Sequence, residues 1–404
     1  MTSMYAKQGT RITPYIFSLF IAWAAFSSVA ILLLIKLGAN SPLVFSLKDM
    51  PVYIVMALSF SAWARSSRST LTLSASLLFT TYLFLNLILL KPDYSNPLAN
   101  IRQIIAPIIV LLFFCQLKPL EHELKKIENS LFLILSIVFI FGVFEFSTEF
   151  WKSVNLTNFF NLKGIPVDQY GLSYMFYEPA FGYRERMTST FLDPISLGHF
   201  FSSIFIAAYY KCIFSGTKRR AAIVLSALGL VFCLSKGALL QAFIGITILN
   251  PRVNILIKSI FLLVPLAVFS AIPNKAGILI HLSGLSNSFE NISFFGHGIG
   301  SSGNYAKMFS DDLNQYSALG ISDTFIGSLI GQIGVFGLGI WLLLLYTAIL
   351  PIKKKQLNPH LIILTSIVMV SVISENTMNI TSFMLPCIII ALARPKPEPK
   401  QYCK

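Results

Sequence analysis

The sequence predicts an all-α, polytopic integral membrane protein with about 12 transmembrane helices and two long loops on the outer face. Three observations carry that prediction. Of 404 residues 55% are hydrophobic and only 12% charged, roughly half the charge of a soluble domain, and mean hydropathy is +0.72. The apolar residues gather in runs near the length that a helix needs to cross a bilayer. The cations, in turn, concentrate in alternate connecting segments, as the positive-inside rule requires. A formal net charge of +14 would point to nucleic acid in a soluble protein. Here it belongs to cytoplasmic loops, so the partner implied is the lipid bilayer and not nucleic acid.

In chain order the runs are Tyr15–Ile35, Pro51–Ala64, Leu71–Leu90, Ile104–Leu117 and Ser130–Ser147. The first is too long for the apolar core of a signal peptide and reads as a retained anchor. A long polar loop, 148–190, follows. Then come Phe191–Ile213, Ala221–Leu234, Gly237–Leu249 and Ile255–Ile272, and a second long loop, 273–322. Thr324–Leu350, Leu361–Ile373 and Ile380–Ala393 complete the set, with a Pro/Lys tail at 394–404. The segment Ala221–Leu249 is either two short spans around Ser235-Lys236-Gly237 or one long one. Charge decides between them. Two spans put 20 of the 31 Lys and Arg on the cytoplasmic side, with both termini; one span puts 13 inside and 17 outside. The first arrangement obeys the positive-inside rule. It makes the chain a single membrane domain with both long loops outside. Five cysteines without a CxxC indicate neither a disulfide framework nor a structural zinc, and nothing implies a cofactor.

The stretch richest in chemistry runs from Arg184 to Phe200. Arg184 and Arg186 close the first long loop, and a Thr/Ser-rich turn feeds directly into a span. Building a span requires none of this. Fixed cations at the mouth of a membrane bundle suit an anionic ligand in the interface, such as a lipid phosphate. Lys236 adds a cation in the turn between two short spans, where an ionisable group is costly without a partner. The plainer alternative is a lysine snorkelling to the headgroups. In the second loop, the run from Phe295 to Gly303 is glycine-rich. Gly298 and Gly300 let the backbone come close to a ligand, so that N–H groups can cradle a phosphate or sugar; a flexible turn is the default reading. It is no nucleotide fingerprint, since no strand precedes it. His297 and His281 share this loop. Asp323 opens a Gly-rich span, as helix N-cap or as a general base facing a site. Glu375, at the turn between the last two spans, is the other carboxylate placed to support one. Asp311 and Asp312 read as solvated neighbours rather than metal ligands.

These residues resemble a known family. The pattern Arg-x-x-Ser-Thr-Phe-x-x-Pro-x-x-x-Gly from Arg186 to Gly198 is similar to the outer-loop motif of the O-antigen polymerase and O-antigen ligase superfamily. Leu234-Ser235-Lys236-Gly237-Ala238 looks like that family's Ser-Arg-Gly turn between two short helices. Gly296–Gly300 and Ser322-Asp323-Thr324 resemble its later motifs, in the same order. Lys236 stands where the family usually has Arg, and Asp323 where many members have His; polymerases vary more here than ligases.

The resemblance implies a metal-independent glycosyltransferase on the periplasmic face of a bacterial inner membrane, with both termini cytoplasmic. Its donor and acceptor would be oligosaccharides on undecaprenyl diphosphate, with a chain-length regulator and a flippase as protein partners. Arg186 and Lys236, with Arg184 in support, would neutralise the departing diphosphate. Asp323, with His297 as second choice, would activate the acceptor hydroxyl. The rivals are an O-antigen ligase, a protein O-oligosaccharyltransferase, and a transporter or flippase of a lipid-linked or anionic solute.

Overall fold

The computed structural model describes residues 13–55, 70–90, 97–117, 119–179, 182–254, 257–258, 276–304, 319, 321, 323–349 and 359–392. It is mostly helical. Helix α1 spans Thr13–Lys36, α2 Thr70–Leu89, α3 Pro97–Gln116 and α4 Glu121–Thr148. Two single-turn helices follow, α5 (Phe150–Val154) and α6 (Thr157–Asn161), then a two-stranded sheet of β1 (Tyr177–Glu178) and β2 (Arg184–Glu185). Helices α7 (Pro194–Tyr209), α8 (Gly216–Cys233) and α9 (Lys236–Phe243) precede α10 (Ala276–Glu290) and α11 (Phe325–Ile349). The chain closes with α12 (Pro359–Ser371) and α13 (Ile380–Ala391).

Among the described residues four helical stretches are long and apolar enough to cross a membrane: Pro14–Lys36, Leu71–Leu89, His122–Thr148 and Phe325–Ile349. Shorter apolar helices include Pro194–Tyr209, Leu361–Ser371 and Ile380–Ala391. Their outward faces carry Leu73, Leu77, Phe84 and Ile88 on α2 and Leu133, Ile137 and Ile140 on α4, all exposed. Such faces are unfavourable against water and suit lipid. Such a surface is compatible with a membrane protein. Most of the predicted span Ile255–Ile272, the second half of Pro51–Ala64, Asp311 and Asp312, and the tail lie outside the described residues.

Helix α13 is the central post, with every residue from Thr381 to Ala391 buried. It packs against α1, α3, α7 and α12. Helices α7, α8 and α9 form a second close group, and α2 lies along α11. The indole N–H of Trp341 on α11 donates to the Ile104 carbonyl of α3 at 3.0 Å, pinning those two helices inside the core.

The structure corrects several sequence expectations. The first long loop is not simply polar. Trp151, Phe159, Phe160, Ile165, Leu172 and Phe176 bury themselves on Ile31, Leu32 and Ile35 of α1, giving the loop its own apolar core. Lys163 completes it, with its Nζ 4.0 Å from the Phe159 ring centre and 4.8 Å from that of Phe45, and burial there pushes its pKa well below that of an ordinary lysine. The second long loop begins as helix α10, which contains His281. The span expected from Phe191 starts at Pro194, because Asp193 caps α7: its carboxylate accepts from the N–H groups of Ile195 (2.9 Å) and Ser196 (3.3 Å). The cap of α11 is Thr324, whose hydroxyl oxygen accepts from the Gly327 N–H at 3.1 Å. Asp323 itself sits in the left-handed region with φ 57°.

Helix α11 is broken at Gly334 (φ 66°, ψ −176°). A Cβ there would lie 2.3 Å from the Gly296 nitrogen and 2.4 Å from the Phe294 carbonyl oxygen, so only glycine fits. The glycine-rich loop lies in this break. The N–H of His297 donates to the Gly331 carbonyl at 2.8 Å, and that of Gly298 to the Gln332 carbonyl at 3.2 Å. The Tyr82 hydroxyl reaches the Phe295 and Ile333 carbonyls at 2.7 and 2.6 Å. Between α8 and α9 the chain breaks at Leu234 (φ 47°) and Ser235, where the sequence places the turn between two short segments.

Candidate functional site

The Thr/Ser-rich turn is a fixture that aims Arg186. The Glu145 carboxylate, near the end of α4, accepts from the N–H groups of Thr188 (2.7 Å) and Ser189 (2.9 Å). The Ser189 hydroxyl donates to the Val138 carbonyl at 2.6 Å and the Thr190 hydroxyl to that of Ala25 at 2.7 Å. The turn is thereby tied to α1 and α4 at once. Immediately before it, the N–H of Met187 donates to the Phe232 carbonyl (3.0 Å) and that of Arg186 to Phe176 (2.8 Å). The backbone of Arg186 is thus fixed from two sides.

Its guanidinium, in a residue only 9% exposed, meets the end of α8. Nε donates to the Cys233 carbonyl at 3.0 Å and Nη2 to that of Leu234 at 3.4 Å. A helix C-terminus leaves such carbonyls open and carries negative partial charge, so a cation there is doubly favoured. Burial lowers the arginine pKa below its ordinary value, and the nearby Glu178 and Asp193 carboxylates oppose that shift.

Glu178 joins the two predicted cations. Its Oε2 lies 3.8 Å from Arg186 Nη1 and its Oε1 2.9 Å from Lys236 Nζ. Glu178 is buried, whereas the Lys236 side chain is 39% exposed. Arg184, exposed, stands opposite Glu178 in the antiparallel register of β1 and β2. Lys152 extends the charged surface by bridging Glu149 and Glu185. Of the residues expected to bind an anion, Arg186 and Lys236 therefore come together and Arg184 adjoins them.

The carboxylates form a second group. Glu375 is 2% exposed; Gln103 donates to its Oε1 at 2.8 Å and the Asn304 N–H to its Oε2, also at 2.8 Å. Burial raises its pKa to about 7, against those two hydrogen bonds, while the Asp323 charge adds to the rise. The Asn304 amide donates to the Asp323 carboxylate at 2.9 Å, and the Glu375 N–H to the Asp323 carbonyl at 3.1 Å. The groups meet at Gly237. A Cβ on it would lie 3.6 Å from the hydroxyl oxygen of Ser374, the residue before Glu375.

His297, Gly298 and Gly300 belong elsewhere. Gly300 donates to the Gln332 side chain at 2.9 Å, and His297 Nε2 lies 2.9 Å from the Asn291 carbonyl. Together with the bonds into the α11 break, these contacts engage the N–H groups of His297, Gly298 and Gly300 within the protein. The loop braces α11.

Sequence reasoning missed Glu178, Glu145, Asn304, Gln103 and His199. His199 on α7 is 1% exposed. Its Nδ1 lies 2.7 Å from Gln241 Oε1, and its Nε2 is buried with no hydrogen-bond partner among the described residues. Such a group costs about 1–3 kcal/mol. An imidazole inside an apolar run was the available signal. As a whole the site offers two cations already gathered around a carboxylate, and a pair of hydrogen-bonded acids close by. No protein-family model matches the chain, and no curated protein matches it in sequence.

Proposed function

We propose that this protein polymerises lipid-linked repeat units of a surface polysaccharide, transferring a glycan from a polyprenyl diphosphate to a sugar hydroxyl at the outer face of a bacterial inner membrane. One observation carries the reading: Arg186 and Lys236, far apart in the chain, converge on the single carboxylate of Glu178. Two cations held by one buried anion form a seat that a diphosphate can take over. The leaving diphosphate needs charge stabilisation, which Lys236, the more exposed partner, supplies directly. Arg186 holds the end of α8 in place and adds its charge. Arg184 extends the seat towards solvent. Asp323 and Glu375 orient the acceptor sugar. On this reading the chain crosses the membrane about 12 times, with both termini cytoplasmic and both long loops outside, as the positive-inside rule supports.

The test is genetic. The gene is deleted in its host and restored as wild type, Lys236→Ala or Arg186→Lys, and the surface polysaccharide is run on a gel. Polymerisation predicts that deletion and Lys236→Ala collapse the ladder to a single repeat on its normal carrier. Full-length chains left on the polyprenyl diphosphate would assign a ligase instead. An unchanged ladder would overturn the reading.

A further inference from the structure

We propose that His199 is a catalytic residue for this transfer, accepting the proton of the attacking sugar hydroxyl at Nε2; the proposal rests on the polymerase reading above. The hydrogen-bond network fixes which nitrogen is bare. The Ser203 hydroxyl donates to the His199 carbonyl at 2.8 Å. Its oxygen therefore accepts from Gln241 Nε2 at 3.2 Å. That orientation turns Gln241 Oε1 towards His199 Nδ1, at 2.7 Å. The Nδ1 carries the proton and Nε2 presents a lone pair, a tautomer assigned from its partners.

The Cε1–Nε2 edge of the ring lies against α9. Next to His199, Gly198 lets α7 close on α9, where a Cβ would lie 2.7 Å from that of Ser235 and 2.8 Å from that of Ala238. The imidazole thereby lies beneath the residue after Lys236. A Cβ on Gly237 would sit 3.6 Å from Nε2 and 3.6 Å from the Ser374 hydroxyl. Gly237 and Ser374 are both half-buried. The imidazole is buried beneath Gly237, between Lys236 and the Ser374 turn that leads to Glu375.

A sugar hydroxyl drawn in beside Gly237 would meet this base on one side and Ser374 on the other. Its oxygen bonds to the anomeric carbon of the donor as the bond from that carbon to the diphosphate oxygen breaks. The electron pair of that bond leaves with the diphosphate. The hydroxyl proton passes to Nε2 and then to solvent. Gln241 acts as a positioning residue, holding the ring and its tautomer.

The experiment follows labelled sugar into chains longer than one repeat in spheroplasts of the host, whose outer face is accessible. His199→Ala is expected to slow extension by about 10²–10⁴-fold. Added imidazole, filling the vacated space, is expected to restore at least roughly tenfold of that loss. A merely structural histidine is not rescued in this way. Gly237→Ala places only ordinary van der Waals contacts beside the imidazole, so it should melt like wild type in detergent while its methyl group blocks the hydroxyl. Wild-type extension by a folded His199→Ala protein overturns the proposal, as does a loss that imidazole leaves unrepaired. If His199→Ala does not fold, Gly237→Ala decides: lost extension with an unchanged melt supports the assignment, and wild-type extension sinks it. The parent reading fails separately, if deletion and wild-type complementation give the same polysaccharide.

Discussion

Arg186 and Lys236 share Glu178, yet replacing them should affect stability very differently. Arg186→Ala removes a buried guanidinium from the end of α8. The 3.0 Å bond to Cys233 is the strong one; the contacts to Leu234 (3.4 Å), Met175 (3.5 Å) and Glu178 (3.8 Å) are long and contribute less. A hydrogen bond from a charged donor is worth about 1.5–3 kcal/mol, and the orphaned carbonyl adds to the loss. The sum is about 2–4 kcal/mol. Lys236→Ala breaks a pair whose lysine is more than a third exposed, worth about 0–1 kcal/mol. It also removes a cation from the first turn of α9, where the helix dipole disfavours it. The buried Glu178 carboxylate keeps Arg186 beside it, so the net loss stays small, about 1 kcal/mol or less. The assay is unfolding of the purified proteins by SDS titration in mixed micelles. Arg186→Ala should unfold at clearly lower SDS and Lys236→Ala with wild type, even though both lose transfer activity. Equal destabilisation by the two, or a wild-type curve for Arg186→Ala, would refute the division of labour.

Four further outcomes follow from the same geometry. Gly334→Ala, with its methyl driven into the Gly296 and Phe294 backbone, should cost at least about 3 kcal/mol. Gly339→Ala, with open space around it, should unfold like wild type in the same titration. Glu375, whose pKa is raised to about 7 in the folded protein and ordinary when unfolded, keeps its proton in the folded state between about pH 4.5 and 7 while the unfolded chain has lost it. Stability is therefore greatest at the acid end of that window and falls as pH rises through it, by up to about 3 kcal/mol. Glu375→Gln should flatten that slope in unfolding curves collected across the window. His297→Ala removes only an exposed contact to the Asn291 carbonyl and should leave the polysaccharide ladder unchanged on a gel.

The helices were legible because apolar runs of bilayer length are a strong one-dimensional signal, and α1, α2, α4 and α11 sit where those runs fall. The approach of Arg186 to Lys236 was legible as two cations out of place in an apolar chain. What joins them was not. Glu178 looks like any loop acid until the β1–β2 pairing turns it inward. The core of the first loop escaped because Trp151, Phe159, Phe160 and Phe176 follow no helical or strand period and are interleaved with charges. Asp323 read either as the cap of α11 or as a general base, because Asp suits both; the left-handed backbone at Asp323 gives the capping role to Thr324. The glycine loop read as a flexible turn, with a ligand cradle as the alternative, because its partner, the break at Gly334, lies more than thirty residues further along the chain. His199 and Gln241 occupy different helices, and only their packing reveals an oriented base.

The most direct test of the central claim is reconstitution. The purified protein is placed in liposomes with the host's own repeat unit on its polyprenyl diphosphate, and chain growth is followed alongside release of free carrier. Wild type should build a ladder of repeats and release one carrier per bond formed. Lys236→Ala, folded to the same stability, should do so about 10²-fold more slowly or worse. Ladder growth by Lys236→Ala at the wild-type rate would contradict the assigned diphosphate seat, and a folded wild-type protein that builds no ladder would contradict the proposed function.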